Sequence, residues 1–253
     1  MNTKKFDAAV IGLGIGKWHL DTYIKSDKIN NVFICDFKKE IEKKFLKKSK
    51  KIKILSFEEI LKKKSIVFVS IASFDNYHFK QVKKSLEHNK NVFVEKPLCM
   101  NLQELKIIKK LKTKDQFLSS NLVLRTSPFF KNLKEKIKNN YFGKIFYIEG
   151  DYLWGRVEKF YGWRSNMKYY SKIYGAAVHM IDLIVWLLNE KPVSVFAIGN
   201  KIGTKSKMRF NSFVHLTLIF KKNLIIKITG NGPCVHPHYH SLKIFGDKKT
   251  TKK

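Results

Sequence analysis

Short apolar runs alternate with Lys- and Glu-rich stretches over the first 96 residues of the chain. Uninterrupted apolar runs are typical of strands that are buried on both faces, and the longer polar-rich stretches between them are typical of amphipathic helices. The alternation predicts a doubly wound, parallel α/β sheet. The predicted strands are residues 6–11, 31–35, 52–55, 66–71 and 91–94, and the predicted helices are residues 17–25, 38–48, 57–63 and 76–89.

The pattern changes after about residue 120. Consecutive strands with short connections, together with two helical segments, predict an α+β domain with an open, mostly antiparallel sheet. Its predicted helices are residues 129–140 and 175–188, and its predicted strands are residues 144–154, 193–201, 210–220, 224–230 and 238–245, followed by a polar tail. The chain is therefore expected to form an α/β domain at residues 1–118 and an α+β domain at residues 119–253.

Charge is the unusual feature of the composition, with 51 Lys and Arg against 20 Asp and Glu, a net charge of +31. A charge of this size can attract nucleic acid or anionic membranes. However, only four of these cations are arginines. Sites that bind nucleic acid favour arginine because of its forked guanidinium group. The lysines are scattered, and the enrichment in Lys, Ile, Asn and Phe fits an AT-rich genome. We therefore expect no nucleic-acid partner. Polyanion binding is a weaker hypothesis than the two functions that the motifs below indicate.

Compartment is indicated by what the sequence lacks. No apolar run approaches the roughly 20 residues of a membrane span. Three distant cysteines, Cys35, Cys99 and Cys234, form neither a CxxC motif nor a disulfide framework. No small-residue cleavage site follows the first apolar stretch. We expect a cytoplasmic protein without a membrane partner.

Three glycines follow the first predicted strand and open the first predicted helix. Gly12, Gly14 and Gly16 stand where backbone amides approach a pyrophosphate at a helix N-terminus. The GxGxG spacing is one residue tighter than GxGxxG, so a glycine turn without a ligand is the alternative.

Asp36 ends the second predicted strand, 24 residues after Gly12. A carboxylate there accepts hydrogen bonds from an adenosine ribose, which favours NAD. Lys38 and Lys39 follow and could instead favour the 2′-phosphate of NADP. NAD or NADP is therefore the expected cofactor, with NAD slightly favoured.

The fifth predicted strand ends in Glu95, Lys96 and Pro97. Charged residues at the carboxyl end of a parallel strand lie where α/β sheets bind ligands. A lysine there can stabilise negative charge that develops on a substrate oxygen. The alternative is an ordinary surface lysine.

Several short motifs occur in an order that resembles the Gfo/Idh/MocA oxidoreductase family. They are the glycine turn with His19, Ile71-Ala72-Ser73-Phe74 with His78, Asn91-Val92-Phe93-Val94-Glu95-Lys96-Pro97-Leu98, Asn121 with Arg125, Gly162-Trp163-Arg164, and Gly175-Ala176-Ala177-Val178-His179-Met180-Ile181-Asp182-Leu183. The resemblance covers nearly the whole chain. It implies a Rossmann domain that binds NAD or NADP and an α+β domain, acting on one carbon of a sugar, cyclitol or nucleotide sugar.

The same resemblance implies the site residues. Lys96 would lie near the reacting carbon and His179 would be the catalytic acid or base. The expected cofactor contacts are Gly12, Gly14, Ile15, Gly16, Lys17, Trp18, Asp36, Ser73, His78 and Glu95. The expected substrate contacts are Arg125, Trp163, Arg164 and Asp182.

His179 is also a candidate on its own chemistry. It lies three residues from Asp182 on one predicted helix, so both can face the same side. Imidazole titrates near neutral pH and can exchange a hydroxyl proton. A core histidine with an orienting or structural Asp182 is the alternative. Arg125 and Arg164 are candidates for bidentate binding of anions or hydroxyls, with ordinary ion pairing as the alternative.

Three features depart from a simple match. Many family members carry an aspartate four residues before the histidine, where this chain has Gly175.

Cys234, His236, His238 and His240 alternate, which on a regular strand could form a zinc site. Two prolines interrupt that segment, so we expect a site-lining or solvated loop and no metal. The chain also ends early for the family, which would shorten the open sheet of the α+β domain. We expect homo-oligomers to form through this sheet.

Together these features predict an NAD(P)-dependent oxidoreductase acting on a sugar, cyclitol or nucleotide sugar in surface-polysaccharide synthesis. The alternative is a non-catalytic nucleotide-binding or regulatory derivative of the same fold. Gly175 and the early end of the chain motivate this alternative.

Overall fold

A computed structural model describes residues 5–167, 170–205 and 208–252. The chain divides into two compact units, Met1–Asn121 and Leu122–Lys253. In the described residues, no helix has the length and apolar character needed to cross a membrane.

The first unit alternates strands and helices along the chain. The strands are β1 (Phe6–Ile11), β2 (Ile29–Cys35), β3 (Ile52–Ile54), β4 (Ile66–Ile71), β5 (Asn91–Val94) and β6 (Leu118–Ser120), and the helices are α1 (Lys17–Lys25), α2 (Lys39–Leu46), α3 (Phe57–Lys62), α4 (Asp75–Glu87) and α5 (Leu102–Leu111). The strands form one sheet in the order β3-β2-β1-β4-β5-β6, and all neighbours are parallel. The order reverses beside β1, the switch point at which such sheets bind ligands.

The apolar run of β1 is buried on both faces of this sheet. Ala8 and Val10 belong to one hydrophobic cluster, with α1 and α2. Ala9 and Ile11 belong to a second cluster, with α3, α4 and α5. Helices cover both faces, which explains why the strand is continuously apolar rather than alternating. The predicted α/β fold class is confirmed for this unit.

The second unit contains a six-stranded sheet with helices. The helices are α6 (Pro128–Lys138) and α7 (Val178–Leu188), and the strands are β7 (Ile145–Leu153), β8 (Ser194–Asn200), β9 (Phe213–Ile219), β10 (Ile225–Asn231), β11 (Tyr239–Gly246) and β12 (Thr250–Lys252). The order is β12-β11-β7-β10-β9-β8. Within the described part of this second sheet, β7 and β10 are parallel neighbours, and the other neighbouring pairs are antiparallel. The predicted open, mostly antiparallel sheet is confirmed.

Helix α7 packs on the alternating face of β7. Ile148 and Tyr152 are buried on that face. Gly150 lies between them, and a Cβ there would be 3.0 Å from the Met180 side chain and 3.4 Å from that of Ile184. The close approach therefore depends on glycine, and it sets the position of the residues that follow on β7 and α7.

Several elements differ from the expectation. Helix α5 and strand β6 were not predicted, and part of the predicted polar tail forms β12, which pairs with β11. Such short, polar strands lack a hydrophobic period, and their pairing partners are distant in sequence. The helix predicted at residues 175–188 begins as a π-helix, Ile173–Ala177, before α7.

Candidate functional site

The glycine turn between β1 and α1 forms an open cradle. Gly12 has a φ of +83°, and a Cβ there would lie 2.6 Å from the Ala72 carbonyl oxygen. A Cβ on Gly16 would overlap the Gly12 carbonyl oxygen, whereas no atom lies within 4 Å of a Cβ added to Gly14. The space beside Gly14 adjoins the N-terminus of α1, whose amides and dipole favour a phosphate. The turn therefore fits the pyrophosphate of a dinucleotide.

Asp36 is fixed against this turn. Its carboxylate accepts hydrogen bonds from the backbone amides of Leu13, at 2.7 Å, and Lys38, at 3.0 Å. The Asp36 amide donates to the Glu42 carboxylate at 2.8 Å. Because a carboxylate has about four acceptor positions, Asp36 can still accept from a ribose hydroxyl. The predicted cofactor role fits this geometry and remains a prediction.

Aromatic side chains extend from the same end of the sheet. Trp18, a predicted cofactor contact, is 60% exposed, and the Lys17 ammonium lies over its ring at 5.0 Å. Phe37 is 69% exposed and packs against Phe74 with ring centroids 5.4 Å apart. Exposed rings here can pack on a planar base. Sequence reasoning missed Phe37, although its place directly after Asp36 was a signal.

The Lys96–Pro97 peptide bond is cis, and Lys96 itself is half-buried. Beside it, the Glu95 carboxylate accepts hydrogen bonds from Asn121 at 2.6 Å and from His19 at 3.1 Å. Burial alone would raise the pKa of Glu95, but these hydrogen bonds and the nearby Lys96 charge lower it overall. Glu95 therefore stays ionised and anchors the backbone from which Lys96 extends.

The network behind Glu95 reaches across the sheet. His19 Nδ1 lies 3.1 Å from the Ser70 hydroxyl, which also contacts the Tyr23 hydroxyl at 2.9 Å. Sequence reasoning included His19 in a motif without assigning it a role. Its contacts make it a positioning residue for Glu95.

His78 is fully buried. Its Nδ1 lies 2.7 Å from the Pro97 carbonyl oxygen and its Nε2 lies 3.1 Å from the Ser73 carbonyl oxygen. The Ser73 hydroxyl donates to the Gln81 side chain at 2.6 Å. His78 therefore connects the segment after β4 with the segment after β5, which makes it a support for both rather than an exposed contact.

In the second unit, His179 lies on α7 in an aromatic cluster. Its ring, 7% exposed, stacks on Tyr152 at 5.5 Å with an interplanar angle of 9°. The rings of His238 and His240 lie 5.2 Å and 4.5 Å from that of Tyr152. Burial raises the pKa of Tyr152 to about 12, although Arg156 and Arg164 oppose the shift. Tyr152 is therefore a protonated hydroxyl at neutral pH.

His238 is the most exposed member of this cluster. Burial lowers its pKa, and the charges of Arg156, Lys159 and Lys172 lower it further, while a backbone hydrogen bond acts in the other direction. His238 is therefore neutral at neutral pH. Sequence reasoning missed Tyr152 and did not bring it together with His238 and His240, because their meeting depends on the pairing of β11 with β7.

Gly175 lies one helical turn before His179, in the π-helix. A Cβ on Gly175 would overlap the hydroxyl oxygen of Tyr170, which is buried. The space in which many relatives of the family carry an aspartate is therefore filled by the phenol of Tyr170.

Two predicted substrate contacts bind each other. The Arg125 guanidinium donates to both carboxylate oxygens of Asp182, from Nε at 2.8 Å and from Nη2. These hydrogen bonds raise the pKa of Arg125. The pair ties the 3₁₀ turn Val123–Thr126 to α7, and the guanidinium fork already has a carboxylate partner.

Arg164 and Lys172 contact aromatic rings. The Arg164 guanidinium carbon lies 4.2 Å from the Trp163 ring centre and 5.5 Å from that of Trp154. The Lys172 ammonium, fully buried, lies 3.2 Å from the Trp154 ring centre and 4.5 Å from that of Phe160. Cation–π contacts of this kind fix the charged groups in place.

The cysteine- and histidine-containing segment does not form one strand face. Strand β11 begins only at Tyr239, after two prolines. The Cys234 thiol lies 3.5 Å from the Asn231 carbonyl oxygen, and His236 Nδ1 lies 2.7 Å from that of Pro237. Within the described ranges, no group of three His, Cys, Asp or Glu residues could hold a metal ion.

The first unit thus has the strand order, glycine cradle and acidic residue of a dinucleotide-binding domain. Residues 6–121 match the GFO_IDH_MocA model described as "Oxidoreductase family, NAD-binding Rossmann fold", and residues 130–252 match "GFO/IDH/MocA C-terminal domain". The chain belongs to the Gfo/Idh/MocA oxidoreductase family, and its first unit is an NAD-binding Rossmann domain.

Curated relatives match at low identity. The chain is 27% identical, over an alignment of 280 residues including gaps, to glycosyl hydrolase family 109 protein 5 of Phocaeicola vulgatus. The alignment covers 94% of this chain and 53% of that protein. It is 24% identical over 194 residues to inositol 2-dehydrogenase/D-chiro-inositol 3-dehydrogenase of Lacticaseibacillus casei, over 74% of this chain and 54% of that protein. The chain spans between about a third and about half of the length of the first curated relatives it matches.

Solved structures share the fold. The myo-inositol 2-dehydrogenase of Lactobacillus plantarum superposes with a TM-score of 0.91 at 20% identity, over 99% of this chain and 76% of that chain. The scyllo-inositol dehydrogenase of Lactobacillus casei, solved with bound NAD(H) and scyllo-inositol, gives a TM-score of 0.87 at 17% identity, over 99% of this chain and 76% of that chain.

Proposed function

We propose that the chain is an NAD-dependent oxidoreductase that transfers a hydride to or from a hydroxyl- or keto-bearing carbon of a sugar or cyclitol. The observation that carries the proposal is a pairing at one edge of the parallel sheet. An open glycine cradle follows β1, and the anchored Glu95-Lys96-Pro97 segment follows β5. Inositol dehydrogenases among the relatives and structural neighbours support this substrate class.

Each proposed role follows from the chemistry of the residue. Lys96 hydrogen-bonds to the substrate oxygen and stabilises the negative charge that develops there. His179 takes or returns the hydroxyl proton. NAD held by the glycine turn would supply the hydride chemistry when bound. The glycine turn would hold the pyrophosphate and Asp36 the adenosine ribose, where its carboxylate would repel the 2′-phosphate of NADP.

Tyr152 is a proposed positioning residue. Its ring stacks face to face on His179, and its high pKa keeps the hydroxyl neutral. A neutral ring places no negative charge beside the imidazole, and the face-to-face stack holds the His179 ring in one orientation.

The finer proposal concerns where the enzyme acts. We propose a sugar or nucleotide-sugar substrate used in surface-polysaccharide synthesis in the cytoplasm, where three free cysteines would stay reduced. We also propose a homo-oligomer formed through the sheet of the second unit. All seven residues of β8 are exposed, among them Val195, Phe196 and Ile198, and an exposed apolar edge strand favours association.

The test is turnover of a panel of sugars, cyclitols and nucleotide sugars with NAD(H), in variants K96A and H179A. Loss of a positioned acid–base group lowers kcat/KM by roughly 10²- to 10⁴-fold, and we expect each variant to lose that much. Exposed Lys109 and half-buried His215 provide matched controls as K109A and H215A, which should keep the activity. Unchanged turnover in both K96A and H179A would contradict the assignment.

Two other outcomes define the alternatives. NADH binding without turnover of any substrate would support a non-catalytic nucleotide-binding or regulatory derivative of the fold. The likeness to a glycosyl hydrolase family 109 protein over 94% of this chain raises glycoside hydrolysis as a second activity. Release of the aglycone from nitrophenyl glycosides, dependent on added NAD, would identify that activity.

A further inference from the structure

Positively charged side chains act electrostatically on the aromatic cluster of the second unit. Arg156 and Arg164 both act electrostatically on Tyr152, and Arg156 also acts on His238. Both arginines are half-buried, whereas Tyr152 and His179 are buried. A ligand that reaches His179 therefore enters a positive field.

Nearby carboxylates do not neutralise these arginines. Across residues 5–167, 170–205 and 208–252, neither Arg156 nor Arg164 has a carboxylate oxygen within 4 Å, whereas Arg125 is paired with Asp182. The acidic residues of β7, Glu149 and Asp151, alternate with Tyr152 and so face the opposite side of the sheet. There they pair with the ammonium groups of two lysines, Lys243 and Lys227.

Arg164 is held in a geometry that suits an anion. The face of its guanidinium packs on indole rings, 4.2 Å from the Trp163 ring centre. Stacking covers only the face of the group, so its N–H donors remain available in the plane for two parallel hydrogen bonds. A stacked guanidinium also has less freedom to lose when it binds an anion.

The general excess of lysine does not explain this arrangement. The lysines are spread over the whole chain, whereas two of only four arginines, Arg156 and Arg164, fall within nine residues of each other. Arginine rather than lysine is favoured where a carboxylate or phosphate is bound through paired donors.

We propose that Arg156 and Arg164 bind an anionic group of the substrate, a carboxylate or a phosphate, next to Tyr152 and His179. The substrate is then an acidic sugar or a sugar phosphate derivative rather than a neutral sugar or cyclitol. This inference rests on the proposed function, because it names the substrate class for the same site.

The test compares matched neutral and anionic ligands on the full chain saturated with NADH. The probes are glucose against glucuronate, and glucose against UDP-glucose, so that the two arms separate a carboxylate from a phosphate. Binding is followed by calorimetry and by tryptophan fluorescence, since Trp154 and Trp163 lie beside Arg164. We expect at least one anionic ligand to bind about tenfold or more tightly than glucose.

Variants R156Q and R164Q should each weaken that anionic ligand by roughly ten- to a hundredfold, the usual loss for a charge-assisted hydrogen bond. Glucose carries no anionic group, so its binding should fall by much less than that of the anionic ligand. Variant R164K keeps the charge without the fork and should lie between wild type and R164Q. Variant K221Q removes an exposed charge from the turn after β9 and should bind like wild type.

Equal binding of neutral and anionic ligands would overturn the inference, and so would a loss in K221Q as large as in R164Q. A separate outcome would show that the proposed function is wrong. Arginine-dependent binding of the anionic ligand with no turnover in the wild type would support anion binding and contradict the oxidoreductase activity. Turnover of neutral substrates alone would support the oxidoreductase activity and contradict anion binding.

Discussion

Single residues decide the chemistry that each part of this chain can offer. Lys96 extends from a backbone fixed on one side by Glu95 and on the other by His78. Both supports are buried or half-buried polar groups whose hydrogen bonds are satisfied, so they hold one geometry. A change in either support is therefore expected to act through the position of Lys96.

Gly175 gives the first prediction at this scale. The variant G175A places a methyl group on the hydroxyl oxygen of Tyr170, and we expect it to destabilise the protein by about 1–3 kcal/mol through overpacking. Adding Y170F removes that oxygen and should restore part of the loss. Denaturant unfolding measures the stability of G175A and of the double variant.

The control G14A adds its methyl group to open space and should lower the stability little. A stability of G175A equal to that of wild type would show that Tyr170 does not occupy this space.

Asp7 gives a pH-dependent prediction. It is buried and accepts hydrogen bonds from Ser65 at 2.6 Å and from Asn31 at 2.9 Å. Burial alone would raise the pKa of Asp7, but these bonds and Lys63 lower it overall. Because the folded-state pKa is depressed, the stabilisation is present above the unfolded-state pKa of about 3.9. It is lost as the pH falls through the lower, folded-state value.

The variant D7N should therefore lose about 1–3 kcal/mol at pH 7. The difference from wild type should shrink below about pH 4. Unfolding in urea at several pH values measures this. The control D21N removes the half-buried partner of Lys48 in a surface ion pair, and such pairs contribute roughly 0–1 kcal/mol. A D7N deficit that stays constant from pH 7 to about pH 3 would contradict the account.

At the scale of elements, local patterns predicted well where local physics decides. Ser56 and Glu59 have the three-residue spacing of a capping box, and both hydrogen bonds of that box are present at the start of α3. The glycine turn was predicted to stand between a strand and a helix, and it does. The box suggests a direct measurement, since Ser127 begins α6 without a side-chain cap.

The variant S56A should lose about 1 kcal/mol of stability, because the Glu59 amide loses its hydrogen-bond acceptor. The variant S127A should lose only a few tenths of that. Thermal unfolding of both variants compares them directly. An equal loss in the two would mean that the capping bond of Ser56 contributes nothing measurable.

Contacts between elements that are distant in sequence could not be predicted, although most of the elements themselves were. The parallel neighbours β7 and β10 are joined through 71 residues of chain between Leu153 and Ile225. Tyr152 becomes a site candidate only when β11 brings His240 opposite it. The partnership of Arg125 with Asp182 likewise appears only when the 3₁₀ turn meets α7.

At the scale of the whole molecule, two units divide the chemistry. The first carries the nucleotide cradle and Lys96, and the second carries His179 within a positively charged aromatic cluster. The family explains why both occur in one chain. The net charge of +31 attracts anions over the whole surface, and this attraction weakens as salt is added. A site held by stacked arginines should instead keep its selectivity for anionic ligands at physiological ionic strength.

The most direct measurement is a titration of the purified chain with NADH and with NADPH, followed by the fluorescence of Trp18 and the other tryptophans. We predict saturable binding of NADH that is tighter than that of NADPH, because Asp36 lies at the end of β2 against the glycine turn. The variant G14L fills the open space beside the cradle and should bind NADH at least about tenfold more weakly while remaining folded. A folded wild-type protein that binds neither nucleotide, or a G14L variant that binds like wild type, would contradict the central claim.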